Sequence, residues 1–575
     1  MPTTAWLALA AMSAAVVTLA GAPGPVPQFV DIAAEAGVRF HHTNGASPDK
    51  HLVETMGSGG LFFDYDGDGW LDIFLVDGGS LANPSVARQA RHRLFHNRGA
   101  STQPGQGPQF EDVTDRSGIR HSQYGMGTCS GDYDGDGRPD LYITNFGPNV
   151  LYRNRGPSTG SGPATLFEDV TAKAHVGDAK WSTSCAFADL DGDGDLDLWV
   201  TNYVNADRAH PPFCGDARKG QRFYCHPLKY EPLPNTVYRN DGNGTFTDVS
   251  TTSGVGALRS NGLGIVVADA DNDGRPDVLV ANDTMPNFLF HNNGNMTFTE
   301  QGLSAGIALA ADGRSRAGMG IDTGDYDGDG RLDLVITNLD FEMHTMYRGL
   351  DRGLFADATT ESGVGFVTLP FVGFGVSFLD FDNDGLLDLA IATGHILDNA
   401  PLFRAGSTYA QRRLLFRNTG GRRLTEVGRN AGPGFTTEHV SRGLAAGDVD
   451  NDGDLDLLVT TNGHNVELLR NSGTGGGHSM LVRLRGAGTN WQAIGARVRV
   501  TTGNRTQLRD IKAGSSYLSQ SDLRAHFGLG DATKADRVEV RWPDGRVESV
   551  TDVTADQILT IEEGKGVTAR VPFSR

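Results

Sequence analysis

Neither H-E-x-x-H nor C-x-x-C occurs anywhere in the 575 residues, so zinc has no cage recognisable from spacing. No basic stripe offsets a formal net charge of −20, which excludes nucleic acid as the natural partner. Long apolar runs are also missing, apart from Ala5 to Leu19. That run has the length of a secretory h-region and is short for a membrane span. Residues 1–22 carry no charged side chain and read as a signal peptide cut after Thr18-Leu-Ala20 or Ala20-Gly-Ala22, with an uncleaved anchor as the alternative. Cysteine is absent near the cut, which speaks against a lipoprotein anchor. The expected location is secreted, periplasmic or extracellular, with no membrane span once the signal is removed. Gly156-Pro-Ser158-Thr-Gly160 matches G-x-S-x-G in letters but lacks the apolar strand that a nucleophile elbow needs.

One spelling is abundant. D-x-D-x-D-G-x-x-D occurs seven times, and its aspartates fall at positions 1, 3, 5 and 9 of each copy. They are Asp64, Asp66, Asp68 and Asp72; Asp132, Asp134, Asp136 and Asp140; Asp189, Asp191, Asp193 and Asp197; and Asp269, Asp271, Asp273 and Asp277. The last three copies hold Asp325, Asp327, Asp329 and Asp333; Asp380, Asp382, Asp384 and Asp388; and Asp448, Asp450, Asp452 and Asp456. A hard cation such as Ca²⁺ takes six to eight oxygens at ~2.3–2.6 Å from a flexible loop, and alternating Asp around a glycine turn supplies them. An EF-hand would need a Glu at position 12, where this chain has Leu75, Ile143, Val200, Val280, Ile336, Ile391 and Val459. The loops therefore join strands, as in the run Leu-Asp-Leu-Trp-Val-Thr after Asp195. A single copy could be an Asp-Gly hairpin turn without metal; seven copies of four aspartates point to up to seven Ca²⁺. Seven divalent ions would bring the net charge from −20 to −6.

Each loop has a Gly-rich apolar strand before it, such as Gly59-Gly-Leu-Phe-Phe63. After its second strand come segments such as Leu94-Phe-His-Asn97 or Leu151-Tyr-Arg-Asn154, and then Phe110-Glu-Asp-Val-Thr or Phe167-Glu-Asp-Val-Thr. Four short strands per period of 55 to 80 residues describe a β-propeller blade. The last unit ends at Leu468-Leu-Arg-Asn471 without its fourth strand, and Phe29-Val-Asp-Ile-Ala at the start supplies one. The expectation is an all-β chain with a seven-bladed propeller over residues 27–472, closed by its N-terminal strand.

Residues 29–471 resemble the FG-GAP/VCBS repeat propellers, whose calcium loops occur in integrin α-subunit heads. Ile494-Gly-Ala-Arg-Val, Ser519-Gln520, His526-Phe-Gly-Leu-Gly530 and Val540-Arg-Trp-Pro-Asp-Gly545 resemble the ASPIC/UnbV module. The two in this order are similar to the cartilage acidic protein family. The resemblance implies a secreted calcium-binding protein engaged in adhesion or protein interaction.

Read without the family, residues 478–566 form a small β-sandwich-like domain, because Met480 to Arg485, Ala496 to Val500 and Val538 to Trp542 alternate apolar and polar residues. Residues 473–477 are a flexible Gly-rich joint and 567–575 a tail. The Arg side of these strands reads as a solvated face. The longest gap between loops, 80 residues, holds Cys214 and Cys225, expected to pair, and Phe213, Phe223, Tyr224 and Tyr230 as a candidate contact surface. Cys129 and Cys185 are either bonded across neighbouring strands or two buried thiols. His41, His42, His395 and His464, with Asp398 and Glu467, are a candidate rim cluster.

Three functions follow. The leading one is a calcium-stabilised scaffold, monomeric and without catalysis, binding a protein or glycan. The alternatives are a lyase-like polysaccharide enzyme using the histidine rim, and a carbohydrate-binding protein presenting Trp491, Tyr517 and Trp542.

Overall fold

The computed structural model describes residues 25–100, 107–120, 123–156, 165–402, 406–473 and 477–574. The signal peptide, residues 474–476 of the joint and residues 157–160 lie outside them. Strands dominate, and seven four-stranded antiparallel sheets account for residues 29–471. In the first sheet the order is Gly60–Phe63, Asp72–Leu75, Arg93–Ala100 and Pro108–Asp112, and every later sheet repeats this meander. Each aspartate loop is the turn between the first two strands. The last sheet contains Ser441–Gly447, Asp456–Thr461 and Glu467–Asn471, and its fourth strand is Phe29–Asp31, with Phe29 opposite Asn471.

The second strands, such as Asp388–Thr393, are buried along their whole length. A sheet covered on both faces reads as an unbroken apolar run, unlike the alternation of a half-solvated sheet. Separate cores fill the gaps between neighbouring sheets. Leu61 and Phe74 of the first pack with Leu141 and Ile143 of the second. Phe62 and Ile73 pack on Ala445 and Leu458 of the seventh.

A recurrent asparagine of the third strand ties six of the seven sheets to the one before. Asn154, Asn240, Asn292, Asn418 and Asn471 donate through Nδ2 to the loop carbonyls of Tyr65, Tyr133, Leu190, Tyr326 and Phe381, at 2.7–2.9 Å. Asn97 of the first sheet makes the same bond to Val449 of the last, at 2.8 Å. The fifth sheet has Gly349 at this position and no such tie. Asn97→Ala leaves two buried carbonyls without a donor and is expected to cost about 1–3 kcal/mol, read from urea unfolding; a loss below about 0.5 kcal/mol would dismiss the tie as ornamental.

The C-terminal residues form two four-stranded sheets around Met480, Val482, Val498, Phe527, Val538 and Trp542. The expected tail is instead an edge strand, Gly566–Pro572, paired with Gln557–Glu562. The domain does not swing free on its joint: it sits on the aspartate-loop side of the seven sheets, and its segment 513–522 enters the space between their first strands. Ser516 exchanges backbone hydrogen bonds with Ile321 at 2.7 and 3.0 Å. Leu518 accepts from Thr128 N–H at 3.1 Å, and its own N–H donates to Ser184 Oγ at 3.1 Å. Gln520 accepts from Ser130 N–H through Oε1 at 2.9 Å, Val376 N–H donates to Ser516 Oγ at 3.0 Å, and Ala446 N–H donates to Ser521 Oγ at 3.0 Å. The Gly-rich character of the first strands follows from this approach: a Cβ on Gly59 would lie 1.6 Å from the Leu518 carbonyl oxygen.

Candidate metal centres

The seven loops share one geometry. The position-6 glycines adopt positive φ, from 84° at Gly385 to 96° at Gly194, a region that costs any other residue strain. That turn aims each glycine N–H at the position-1 carboxylate: Gly69 to Asp64, Gly137 to Asp132, Gly194 to Asp189, Gly274 to Asp269, Gly330 to Asp325, Gly385 to Asp380 and Gly453 to Asp448, all at 2.8–3.2 Å. Positions 1, 3, 5 and 9 converge. Asp64, Asp66 and Asp72, or Asp132, Asp134 and Asp136, or Asp189, Asp191 and Asp197 bring carboxylate oxygens within 4.8 Å of one another.

The position-9 aspartates do more than the spacing indicates. Asp72 accepts from Tyr65 N–H through Oδ2 at 3.1 Å and from Asn97 N–H through Oδ1 at 2.8 Å. Asp140, Asp197, Asp277, Asp333, Asp388 and Asp456 repeat both bonds, so this residue locks loop to third strand as well as facing the cluster. Burial pushes the Asp72 and Asp132 carboxyls up to about 7 and those of Asp197, Asp333 and Asp380 up to about 8. A divalent cation would balance such a set. Among the described residues the buried oxygens Asp64 Oδ1, Asp134 Oδ1, Asp269 Oδ1, Asp382 Oδ1 and Asp450 Oδ1 have no hydrogen-bond partner. A hard divalent ion fits this all-oxygen donor set.

Sequence reasoning missed the side chain that faces each loop from the third strand. His96 Nδ1 lies 3.2 Å from Asp72 and 3.3 Å from Asp66, and His291 Nδ1 lies 3.2 Å from Asp277. At the equivalent position Arg153 Nε sits 2.6 Å from Asp134, and Arg417 Nε 2.8 Å from Asp382. The signal was in the recurring segments Leu-Phe-His-Asn and Leu-Tyr-Arg-Asn, where a cationic or basic residue always precedes the asparagine.

The solvated Arg face expected of the C-terminal domain is instead turned onto the loops. Arg541 Nη2 bonds Asp269 Oδ2 at 2.5 Å, Arg524 Nη2 the Asp448 carbonyl at 2.7 Å, and Arg483 Nη2 the Gly69 carbonyl at 3.3 Å. Gly528 N–H donates to Asp380 Oδ2 at 3.1 Å, Gln492 Oε1 accepts from Asp132 N–H at 2.9 Å, and Thr489 Oγ1 donates to the Gly194 carbonyl at 2.7 Å. Six of the seven loops are touched in this way, and buried Arg cannot stand without such acceptors.

The other candidates do not form one cluster, although His42 N–H donates to the His464 carbonyl at 2.9 Å and His42 Nδ1 accepts from Gly463 N–H at 3.1 Å. His41 pairs with Asn465, His395 Nε2 lies 3.6 Å from Asp340, and the His464 ring sits edge-on to His439. His42 is buried, which pushes its pKa down to about 3. Asp398 goes to Lys50 and Glu467 to buried Arg413. Tyr517 and Trp542 are buried, and Trp491 lies under Arg485, so the C-terminal domain offers no platform of these three rings. Both cysteine pairs are bonded, Cys214 to Cys225 and Cys129 to Cys185, the second linking the first strands of the second and third sheets. Phe213 is exposed, while Phe223, Tyr224 and Tyr230 are half-buried in the inserted loop. No helix among the described residues is long and apolar enough to cross a membrane.

Residues 486–568 match the family model described as ASPIC and UnbV, and residues 64–143, 132–200, 230–280 and 269–336 match the FG-GAP-like repeat. The chain is similar to cartilage acidic protein 1 of Mus musculus, 26% identical over 463 residues, covering 76% of this chain and 64% of that protein. It is 27% identical over 449 residues to the Homo sapiens protein, covering 74% and 60%. The match thus spans under two thirds of these relatives' length. Among solved structures it is similar to an Agrocybe aegerita lectin that recognises non-reducing terminal N-acetylglucosamine, at 14% identity and a TM-score of 0.36, covering 73% of this chain and 92% of that one. It is also similar to the V. cholerae biofilm matrix protein Bap1, at 11% and 0.29, covering 89% and 61%.

Proposed function

This chain is an FG-GAP repeat protein that ends in an ASPIC and UnbV domain and is related to cartilage acidic protein 1, and on that premise we propose that it is a calcium-built extracellular scaffold for interaction with a protein or glycan. Its seven sheets are read as the blades of a closed propeller, and its role as binding without catalysis. The observation that carries the calcium reading is the repeated convergence of carboxylates with a buried oxygen left without a partner. The closed ring is supported by the Asn97 tie from first sheet to last and by the pairing of Phe29–Asp31 with Glu467–Asn471. Two disulfides support export, because such bonds persist in oxidising compartments.

In this reading Ca²⁺ supplies the positive charge that lets each loop hold its carboxylates ionised. The glycine turn presents the oxygens, position 9 fixes the loop to its sheet, and the C-terminal arginines neutralise what remains. Metal counting by mass spectrometry after dialysis against about 1 mM Ca²⁺, near the weak end of extracellular affinities, is expected to find close to seven ions per chain. One ion or none would sink the calcium reading.

A further inference from the structure

The side of the sheets away from the C-terminal domain carries a cavity of about 270 Å³. Its walls are apolar and aromatic, with Met56, Tyr203, Phe223, Met319 and Phe374 among them, and the disulfide-clipped insertion forms its roof. A single carboxylate, Asp283, opens onto it. The Tyr203 hydroxyl donates to Asp283 Oδ2 at 2.5 Å, and no basic side chain forms an ion pair with this acid among the described residues. Lys and Arg are absent from the lining. His226 reaches it, but its Nδ1 already accepts from Leu228 N–H at 3.3 Å, and desolvation lowers its pKa.

Asp283 is half-buried, and burial pushes its carboxyl up to about 7, so a cation beside it is what would hold it ionised at neutral pH. Here the paired group is missing while space beside the acid is present. Aromatic faces around that space favour a cationic guest for a second reason, the attraction of positive charge to the ring quadrupole. We propose that this cavity binds a small apolar molecule bearing a protonated amine, whose ammonium group pairs with Asp283 while its body lies against Met56, Met319 and Phe374. The proposal does not depend on the metal loops, which lie at the opposite ends of the same strands.

Isothermal titration of the full chain, in millimolar Ca²⁺, with benzylamine, benzyl alcohol and benzoate tests it. Benzylamine is expected to bind once per chain and about ten-fold more tightly than benzyl alcohol, with benzoate not binding. Asp283→Asn should bring the amine down to the level of the alcohol, and Ile396→Trp, which fills the mouth, should weaken both. The Ile396 variant keeps the test decisive if the Asp283 variant does not fold. Equal affinity for amine and alcohol in the native chain, full amine binding in Asp283→Asn, or no heat from benzylamine would each overturn the proposal.

Discussion

Chelating Ca²⁺ with EGTA at about pH 7.5 is expected to lower the melting temperature by roughly 10 °C or more. At free Ca²⁺ about ten-fold above a dissociation constant of ~10⁻⁴–10⁻³ M, one site adds about 1.4 kcal/mol, and several sites add up. The loss also has a definite pH dependence. In the metal-free protein the Asp72, Asp132, Asp197, Asp333 and Asp380 carboxyls are raised by burial to about 7 or 8, above their unfolded values. Raised acid pKa values stabilise the fold fully below about pH 4 and lose that contribution as pH climbs through the folded values, because the chain must then bury ionised carboxylates. Stability in EGTA therefore falls between about pH 5 and pH 8. With saturating Ca²⁺ the ionised form is the bound form and the fall is suppressed, so the gap between the two melting curves widens with pH. A gap that closes as pH rises would contradict this account.

Tyr517→Ala is expected to cost about 3–5 kcal/mol, the range for losing a fully buried aromatic side chain. The ring is completely enclosed by residues of several sheets, including Phe374, and its hydroxyl donates to the Met56 carbonyl at 3.1 Å. Its loss removes the anchor of segment 513–522 and leaves that carbonyl unpaired. Because the segment reaches between the first strands, the two parts should lose their common cooperativity. Calorimetry is expected to show two transitions where the native chain should show one, and proteinase K, which needs no basic residue, should cut the joint near residue 473 sooner. One unshifted transition in the variant would mean that the arginine contacts on the loops suffice to hold the domain.

The asparagine ties show how far pattern alone could go. Seven spaced segments gave the sheets, because strand period and turn chemistry are local, and the missing fourth strand pointed to Phe29–Asp31. That the asparagine side chains bridge to the preceding loop was not legible, since the partner is a main-chain carbonyl with no side-chain signature. The histidine and arginine facing each loop were visible as letters, yet their direction depends on the third strand's register against the second.

The C-terminal domain marks the sharper divide. Its alternation identified a two-sheet domain correctly, but alternation gives only the two sides of a strand and not what covers each. Arg483 and Arg541 look like solvent-facing residues in sequence and are loop contacts in the structure. Likewise Tyr517 and Trp542, aromatic letters that could serve a sugar site, are core.

The amino-acid sequence by itself determined the strand content, the seven acidic turns and the ligand type they can hold, because aspartate spacing and glycine placement act over fewer than ten residues. Only the tertiary structure decided that segment 513–522 fills the middle, that a carboxylate faces an apolar cavity with no ion-paired cation among the described residues, and that Cys129 bonds Cys185. Those facts join residues up to several hundred positions apart, whose proximity is set by how the sheets stack around one another.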